Sequence, residues 1–237
     1  MTLDARRHRL WQAMGLGPVW QQRNPSAASG GETVNARAER IARLGWDDLA
    51  AEAARCRACP LGEARRQAVF GVGHRHAEWM LVGEAPGAEE DARGEPFVGQ
   101  AGKLLDNMLA AIGLTREGET PQSVFIANVL KCRPPNNRNP EPAEVAQCQP
   151  FLHRQVELVN PKLVVVMGRF AAQALLGTDA SIASLRGQVH HIDVAGRRVP
   201  VVVTYHPAYL LRSLGDKAKS WADLCFARDV HGRAASG

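Results

Sequence analysis

The sequence predicts an α/β protein in which helices cover both faces of a central, mostly parallel sheet, a three-layer α/β/α sandwich. Short apolar runs typical of buried strands alternate with segments whose apolar residues recur every three or four positions. Strands that alternate with helices form parallel sheets, and the connecting helices cover both faces. The 237 residues suffice for one such domain with a sizeable core.

The elements of this fold follow one another from residue 34 onwards. The predicted strands are WMLVG, SVFIANVL, PKLVVVMG and the two arms of the hairpin VHHIDVAGRRVPVVVTYHP, which turns at AGR. The predicted helices are NARAERIARLGWDDLAAEAARC, GQAGKLLDNMLAAIGL, EPAEVAQCQPFLHRQVELV, RFAAQALLG and WADLCFARDV. We assign residues 34–230 to this domain, residues 1–33 to an extension with a short helix and a flexible linker, and residues 231–237 to a disordered tail.

Charge and hydropathy limit the classes of partner. The 29 Lys and Arg residues exceed the 24 Asp and Glu residues, and the resulting net charge of +5 is compatible with a polyanionic partner without establishing one. No apolar run is long enough for a membrane span, and the N-terminus lacks the features of a secretory signal. We therefore expect a cytoplasmic protein without a membrane partner, and we take it to be a monomer.

The five cysteines form a pattern with chemical meaning. Cys56 and Cys59 make a C-x-x-C pair, and fifteen residues separate Cys132 from Cys148. An odd number of cysteines in a cytosolic chain argues against a disulfide framework. Four thiolates suit a zinc ion or an iron–sulfur cluster, and buried free thiols are the alternative. Cys225 lies in an amphipathic helical pattern and is expected to be a core residue.

Polar segments follow the predicted strands. GEAPG follows the first strand, Asn128 and LKCRPP end the second, and YHPAYLLR follows the last. Ligands of parallel sheets bind beyond the carboxyl ends of the strands, so we expect these segments to converge on one crevice. A nucleotide-binding role is disfavoured, because the phosphate-binding glycine motifs are absent and acids immediately after GEAPG would repel phosphate.

Three of these segments carry a resemblance. The motifs GEAPGAEEDARGEPFVGQAGKLLD, NVLKCRPPNNRNP and HPAYLLR occur in this order between Cys56 and Val230. In them the chain resembles the family 4 uracil-DNA glycosylases, a bacterial and archaeal type that carries a [4Fe–4S] cluster. The resemblance implies the uracil-DNA glycosylase fold and a repair enzyme that excises uracil from single- or double-stranded DNA. It also implies that the cluster is held by Cys56, Cys59, Cys132 and Cys148.

The resemblance assigns roles in a pocket for a flipped base. His206 is expected to donate to uracil O2 as negative charge grows there, although a histidine before proline could simply cap the turn. Asn128 is expected to read O4 and N3–H, since an amide offers an acceptor and donors on one edge. Phe97 is expected to stack on the base. The alternatives are that Asn128 is a buried amide that holds loop backbone and that Phe97 is a core residue. No lysine in these motifs is placed as a Schiff-base nucleophile, so the predicted enzyme is monofunctional.

The turn after the first strand supplies the pocket wall. The resemblance places Gly83, Glu84 and Ala85 there, with their backbone groups towards the base. Ala85 stands where some related glycosylases carry a water-positioning aspartate, so we expect Glu84 to assist the water or the oxocarbenium ion. The acids at 89–91 are expected to begin a helix, where the helix dipole favours them.

The last motif resembles the family's loop that enters the DNA minor groove. Leu211, or in its place Leu210, is expected to wedge into the gap left by the base. The side chains expected to contact phosphates are Lys131, Arg133, Arg138 and Arg212.

The principal alternative is a non-catalytic DNA-binding or polymerase-associated iron–sulfur protein on the same fold. The intact set of His206, Asn128 and Phe97 argues against it, because a protein that had lost catalysis need not keep all three. The extension contains LWQAMGLGPVW, with two tryptophans that could dock on the main domain or on a partner protein.

Overall fold

The structure is a computed structural model that describes residues 13–14, 34–118 and 122–235. The helix and linker predicted within residues 1–33 therefore lie almost entirely outside the described residues. The chain divides into two compact units, Met1–Ala36 and Arg37–Gly237, and the second contains the elements discussed below apart from the first three residues of the first helix, Val34–Ile41. In the described part of the chain, no helix combines the length and apolar character needed to cross a membrane.

The described strands form one six-stranded sheet in the order β1–β3–β2–β4–β6–β5. The strands are β1 Val72–Gly73, β2 Trp79–Gly83, β3 Val124–Asn128, β4 Leu163–Met167, β5 Val189–Val194 and β6 Arg197–Thr204. The described α-helices of four residues or more are α1 Val34–Ile41, α2 Trp46–Arg55, α3 Leu61–Ala64, α4 Ala88–Arg93, α5 Gln100–Ala111, α6 Pro142–Val159, α7 Arg169–Leu176, α8 Ile182–Leu185, α9 Pro207–Leu210 and α10 Lys217–Ala235.

The centre of the sheet is parallel. Strand β2 pairs in parallel with β3 and β4, and β4 pairs in parallel with β6, whereas β1 and β5 are antiparallel edge strands. Every residue of β2, β3 and β4 is buried, as expected for apolar runs covered on both faces. Since the chain passes from β2 to β3 on one side and then to β4 on the other, a crevice opens at the carboxyl ends of these strands.

Two apolar layers cover the sheet, and a third cluster lies beside it. Residues of α6 and α7 pack on one face, and residues of α5 and α10 pack on the other. The third cluster joins α2 and α6 around the cysteines. The predicted three-layer α/β/α sandwich with a mostly parallel sheet is thereby confirmed.

Two local predictions need correction, and one strand was missed. The helical pattern before the first cysteine pair is two helices, because the chain is extended at Gly45, the residue before α2. Strand β1 was not predicted, since two residues carry no readable periodicity. The tail predicted to be disordered from residue 231 is wrong up to Ala235, because α10 continues to that residue; residues 236 and 237 lie outside the described part.

Candidate active site

The carboxyl ends of β2 and β3 bring Gly83 and Asn128 side by side, in register. Asn128 is 2% exposed, and within the described residues its side-chain oxygen Oδ1 has no hydrogen-bond partner. Leaving a buried acceptor unpaired costs about 1–3 kcal/mol. A buried amide that keeps its oxygen unpaired at the end of a parallel strand is therefore suited to accept a hydrogen bond from a ligand.

The ring of Phe97 meets this amide above Gly83. A Cβ atom at Gly83 would lie 2.4 Å from Asn128 Oδ1 and 2.6 Å from Phe97 Cζ. Real Cβ atoms do not approach other atoms so closely, so only glycine lets the amide and the ring converge here. The absent side chain at Gly83 thus defines the floor of the site.

Phe97 has a strained backbone that its neighbours hold in place. Its φ of 56° lies in the left-handed region, which costs a residue other than glycine about 1–3 kcal/mol. The Glu90 carboxylate accepts the N–H groups of Val98 at 3.0 Å and Gly99 at 3.3 Å, immediately after the phenylalanine. A Cβ at Gly102 would lie 1.7 Å from the Phe97 carbonyl oxygen, so the backbones touch there.

Glu90 therefore has a role that the sequence analysis missed. The predicted helix start is correct, since α4 begins at Ala88 and the Glu90 carboxylate accepts the Gly87 N–H at 3.1 Å. The same carboxylate also reaches across to the segment that carries Phe97. The G-x-x-E spacing signals the first contact, but no local pattern signals the second, because it joins residues eight and nine positions apart.

His206 completes the group. Its ring stacks on Phe97 with centroids 5.4 Å apart and an angle of 29° between the planes. Its Nδ1 accepts the Ala208 N–H at 3.1 Å and so caps α9. When Nδ1 is an acceptor, the proton of a neutral imidazole resides on Nε2. The histidine thus caps the turn through one nitrogen and keeps the other as a donor.

The electrostatics keep this imidazole neutral. Burial lowers the pKa of His206 to about 4, and the nearby Arg212 acts in the same direction, whereas Glu90 acts against it. At neutral pH the ring is consequently an uncharged N–H donor. Gly83, Phe97, Asn128 and His206 are the predicted site residues that the structure brings together.

Glu84 is placed differently. Successive residues at the end of a strand point to opposite faces of the sheet, so the residue after Gly83 points away from Asn128. Burial raises the pKa of Glu84, and Arg169 opposes that rise. Its side chain lines a cavity of about 370 Å³ between α6 and α7, together with Val129, Val145, Gln149, Phe170 and Gln173. Ala85 is half-buried against the cysteine cluster.

Not all of the side chains predicted to contact phosphates are exposed to solvent. The prediction for Lys131 is wrong in this structure, because the side chain is only 1% exposed and its ammonium bonds inside the protein. Arg138 is partly exposed, but both of its terminal nitrogens donate to the Glu144 carboxylate. Lys131 is buried because it bonds to helix α6, and a lysine in a loop gives no sign of such a contact in the sequence.

The segment after His206 does present a side chain suited to a wedge. Leu210 is 1% exposed and packs inward, whereas Leu211 is 42% exposed. Leu214, which the sequence analysis did not single out, is 66% exposed on the same segment. Arg212 is exposed beside them, and Arg133 is half-buried on the loop after β3.

The four predicted metal-binding cysteines belong to one cluster. Cys132 and Cys148 are buried, and the half-buried Cys56 and Cys59 pack against the same apolar residues, among them Leu49. Among the described residues, no group of three or more His, Cys, Asp or Glu side chains is arranged to hold a metal ion as it stands. Cys225 is half-buried in α10 and is not among the residues of this cluster.

Hydrogen-bond donors point at three of these sulfurs. Arg37 donates to Cys56 Sγ at 3.2 Å, and Arg65 donates to Cys132 Sγ at 2.9 Å. The backbone N–H of Lys131 donates to Cys148 Sγ at 3.2 Å. Donors to sulfur stabilise thiolates bound to metal. The donor set therefore fits an anionic thiolate centre better than four neutral thiols.

Burial acts on the thiols in the opposite direction. It raises the pKa of Cys148 to about 12, against the attraction of Lys131, and it raises the pKa of Cys132 against that of Arg65. Without a metal these thiols keep their protons at neutral pH. Metal binding would release the protons and leave thiolates, which the neighbouring Lys131 and Arg65 would then stabilise.

The fold and the site place the chain in a known class. It belongs to the uracil DNA glycosylase superfamily, whose family model, so described, matches residues 70–225. The relatives include a type-4 uracil-DNA glycosylase of Archaeoglobus fulgidus, 48% identical over 169 residues, which cover 70% of this chain and 82% of that protein. A type-4 uracil-DNA glycosylase of Thermotoga maritima is 43% identical over 166 residues, 70% of this chain and 82% of its own length. A type-5 uracil-DNA glycosylase of Pyrobaculum aerophilum is 31% identical over 196 residues, with coverage of 70% and 84%.

Proposed function

We propose that this protein is a monofunctional uracil-DNA glycosylase, which flips uracil out of DNA and hydrolyses its N-glycosidic bond to leave an abasic site for base excision repair. The observation that carries the proposal is the buried, unpaired oxygen of Asn128 beside Phe97 and His206. The similarity to type-4 uracil-DNA glycosylases supports it. The cytoplasm as its location and a monomeric state belong to the same proposal, as does a partner protein for the extension.

Asn128 is proposed to select the base. Its Oδ1 accepts N3–H of uracil and its amide nitrogen donates to O4, while Phe97 stacks on the ring. Cytosine has no hydrogen on N3 and carries a donor in place of O4, so both contacts would be mispaired. Buried polar groups that lose their partners cost enough to reject the wrong base strongly.

His206 is proposed to stabilise the leaving group. As the bond between C1′ and N1 breaks, its electron pair passes to uracil and spreads over O2 and O4, and the sugar becomes oxocarbenium-like. The Nε2–H of the neutral imidazole donates to O2, where the charge develops. A water oxygen then bonds to C1′ and loses a proton to solvent. The backbone N–H groups of Glu84 and Ala85 complete the pocket wall.

In this proposal the carboxylate of Glu84 does not contact the reacting atoms. Its side chain lines the cavity between α6 and α7 and not the group formed by Gly83, Phe97, Asn128 and His206. From the sequence we expected the Glu84 carboxylate to assist catalysis. In this proposal Glu84 contributes only its backbone N–H group to the pocket wall. Catalysis rests on stabilisation of the uracil anion.

A [4Fe–4S] cluster held by Cys56, Cys59, Cys132 and Cys148 is proposed as the cofactor, supported by the shared cluster of thiols and the donors aimed at their sulfurs. When bound, it would supply a rigid thiolate–iron centre that joins the entry segment, the loop after β3 and α6. Purified protein should be brown, with broad absorbance near roughly 400 nm, as expected of thiolate-bound clusters. A colourless protein that contains zinc would contradict this assignment.

The DNA contacts proposed are Leu211 as the wedge and Arg133 and Arg212 at phosphates, with Arg138 as a weaker contact because Glu144 neutralises it. Each phosphate contact releases counterions, so affinity should fall as salt is raised. Affinity that stays constant between low and physiological salt would contradict these contacts.

The proposed function is tested with uracil-containing oligonucleotides, single- and double-stranded, followed by alkali. We expect strand cleavage only after alkali, since the enzyme forms abasic sites without cutting them. His206→Ala should lower the rate by about 10²–10³-fold, the usual loss of a charge-stabilising donor. His191→Ala, on the exposed edge strand β5, is the matched control. If the protein binds DNA but removes uracil from neither the single-stranded nor the double-stranded substrate, the non-catalytic alternative would be correct.

A further inference from the structure

Lys131 connects the base-reading residue Asn128 with the cysteine cluster. We propose that Lys131 is a positioning residue, which fixes the backbone of Asn128 through its ammonium and is itself held against the cysteine cluster through its backbone N–H. The proposal deepens the function proposed above and rests on it.

The contacts of Lys131 extend in both directions. Its ammonium Nζ donates to the backbone carbonyl of Asn128 at 2.7 Å and to Gln155 Oε1 at 2.6 Å. Its backbone N–H donates to Cys148 Sγ at 3.2 Å. Its carbonyl accepts the Val69 N–H at 2.8 Å. One residue therefore bonds to both the strand end that reads the base and a cluster cysteine.

Gln155 secures the far end of this connection. It is fully buried on α6, and its Nε2 donates to the Phe70 carbonyl at 2.8 Å. Its side-chain oxygen is thereby oriented towards the Lys131 ammonium. The lysine is consequently held between two fixed carbonyl oxygens and has no freedom to reach solvent.

The ammonium of Lys131 is enclosed, since the residue is only 1% exposed. A buried charged group is costly unless it is hydrogen-bonded, so the ammonium has to keep its bonds to the Asn128 carbonyl and to Gln155 Oε1. The same two bonds that make its burial tolerable therefore fix its position.

The position of Asn128 follows from this arrangement. Its side chain must place one acceptor and one donor on the uracil edge, and a misplacement of about 1 Å in such a site can cost about 10²-fold in rate. The bond from Lys131 holds the carbonyl of the residue that carries this side chain. The cysteine cluster and the base-reading residue are thereby linked through one lysine, whose backbone N–H bonds to Cys148 Sγ and whose ammonium bonds to the Asn128 carbonyl.

The test compares Lys131→Met, which keeps the length of the side chain without its charge, with Gln155→Leu, which removes one acceptor. Lys162→Met is the control, since that lysine is partly exposed and pairs with Glu78. For each purified protein we would measure iron per chain, absorbance of the cluster, the dissociation constant for free uracil by calorimetry, and single-turnover rates on uracil-containing DNA.

We expect Lys131→Met to bind free uracil at least about tenfold more weakly and to react about 10–100-fold more slowly, by the misplacement argument. Gln155→Leu should show a smaller loss in the same direction, with full iron content, and the control should match the parent chain. Unchanged uracil affinity and rate in Lys131→Met would overturn the proposal. If Lys131→Met loses iron or fails to fold, Gln155→Leu decides, and normal uracil affinity in that variant would overturn it. A parent chain that excises no uracil would instead refute the proposed function.

Discussion

Gly83→Ala is the substitution that tests the geometry of the site most closely. The residue ends a buried strand and its φ lies outside the left-handed region, so the backbone accepts alanine without strain. The added methyl group would enter the space where Asn128 and Phe97 converge. The change is thus one carbon atom in the floor of the pocket, with every proposed catalytic group retained.

The size of the effect follows from the distances. The new Cβ would lie 2.4 Å from Asn128 Oδ1 and 2.6 Å from Phe97 Cζ, whereas ordinary contacts begin at 3.4 Å. Both the amide and the ring must therefore move, each by about 1 Å, and a displacement of that size costs about 10²-fold in rate, or about 2.7 kcal/mol in the barrier. Overpacking should also lower the free energy of unfolding by about 1–3 kcal/mol.

The assay is single-turnover uracil excision with the enzyme in excess, at a temperature where thermal unfolding shows the variant to be folded. Gly232→Ala, on α10, is the matched control, because a Cβ there meets no atom within 4 Å. The control should keep the parent rate, while Gly83→Ala should lose about 10²-fold. A folded Gly83→Ala protein within threefold of the parent (about 0.65 kcal/mol) would refute the convergence of Asn128 and Phe97 above this residue.

Three further predictions concern single groups. Because the pKa of His206 in the folded protein is about 4, the excision rate should show no inflection near pH 6.5. The free energy of unfolding should fall as pH drops from about 6.5 to about 4, because the unfolded chain binds the proton first. A rate inflection near pH 6.5 that depends on this residue would contradict the neutral donor. Glu90→Ala removes the hydrogen bonds to the Phe97 segment, so it should slow excision about tenfold and lower the free energy of unfolding by less than about 2 kcal/mol. A loss of stability with a normal rate would show that Glu90 only caps helix α4. Leu211→Ala should slow excision from double-stranded DNA and spare single-stranded DNA, which needs no wedge; equal slowing on both would contradict that role.

The fold could be predicted because its central strands are nearly continuous apolar runs. Strands β2, β3 and β4 are buried on both faces, and such strands leave a readable signal in the sequence. The same reasoning predicts that Gly83 and Asn128, which end adjacent strands, lie together. The resemblance, not periodicity, supplied Phe97 and His206.

The remaining features depend on tertiary contacts. Lys131 looks like a surface lysine in a basic loop, and its burial depends on tertiary hydrogen bonds to the carbonyl of Asn128 and the amide of Gln155. The direction of Glu84 was readable in principle, because strand alternation sets it opposite to Gly83. The left-handed backbone of Phe97 had no local signal, since the contacts that hold it come from α4 and α5.

The most direct test of the central claim is the affinity of the protein for free uracil and for 3-methyluracil, measured by calorimetry. The unpaired Oδ1 of Asn128 should accept N3–H of uracil, and the methylated base lacks that proton. We predict that 3-methyluracil binds about 5–150-fold more weakly, as expected for a buried acceptor left unpaired at about 1–3 kcal/mol. Asn128→Ala should bind the two bases equally well. Equal affinity for both bases in the parent protein would contradict the account of the site.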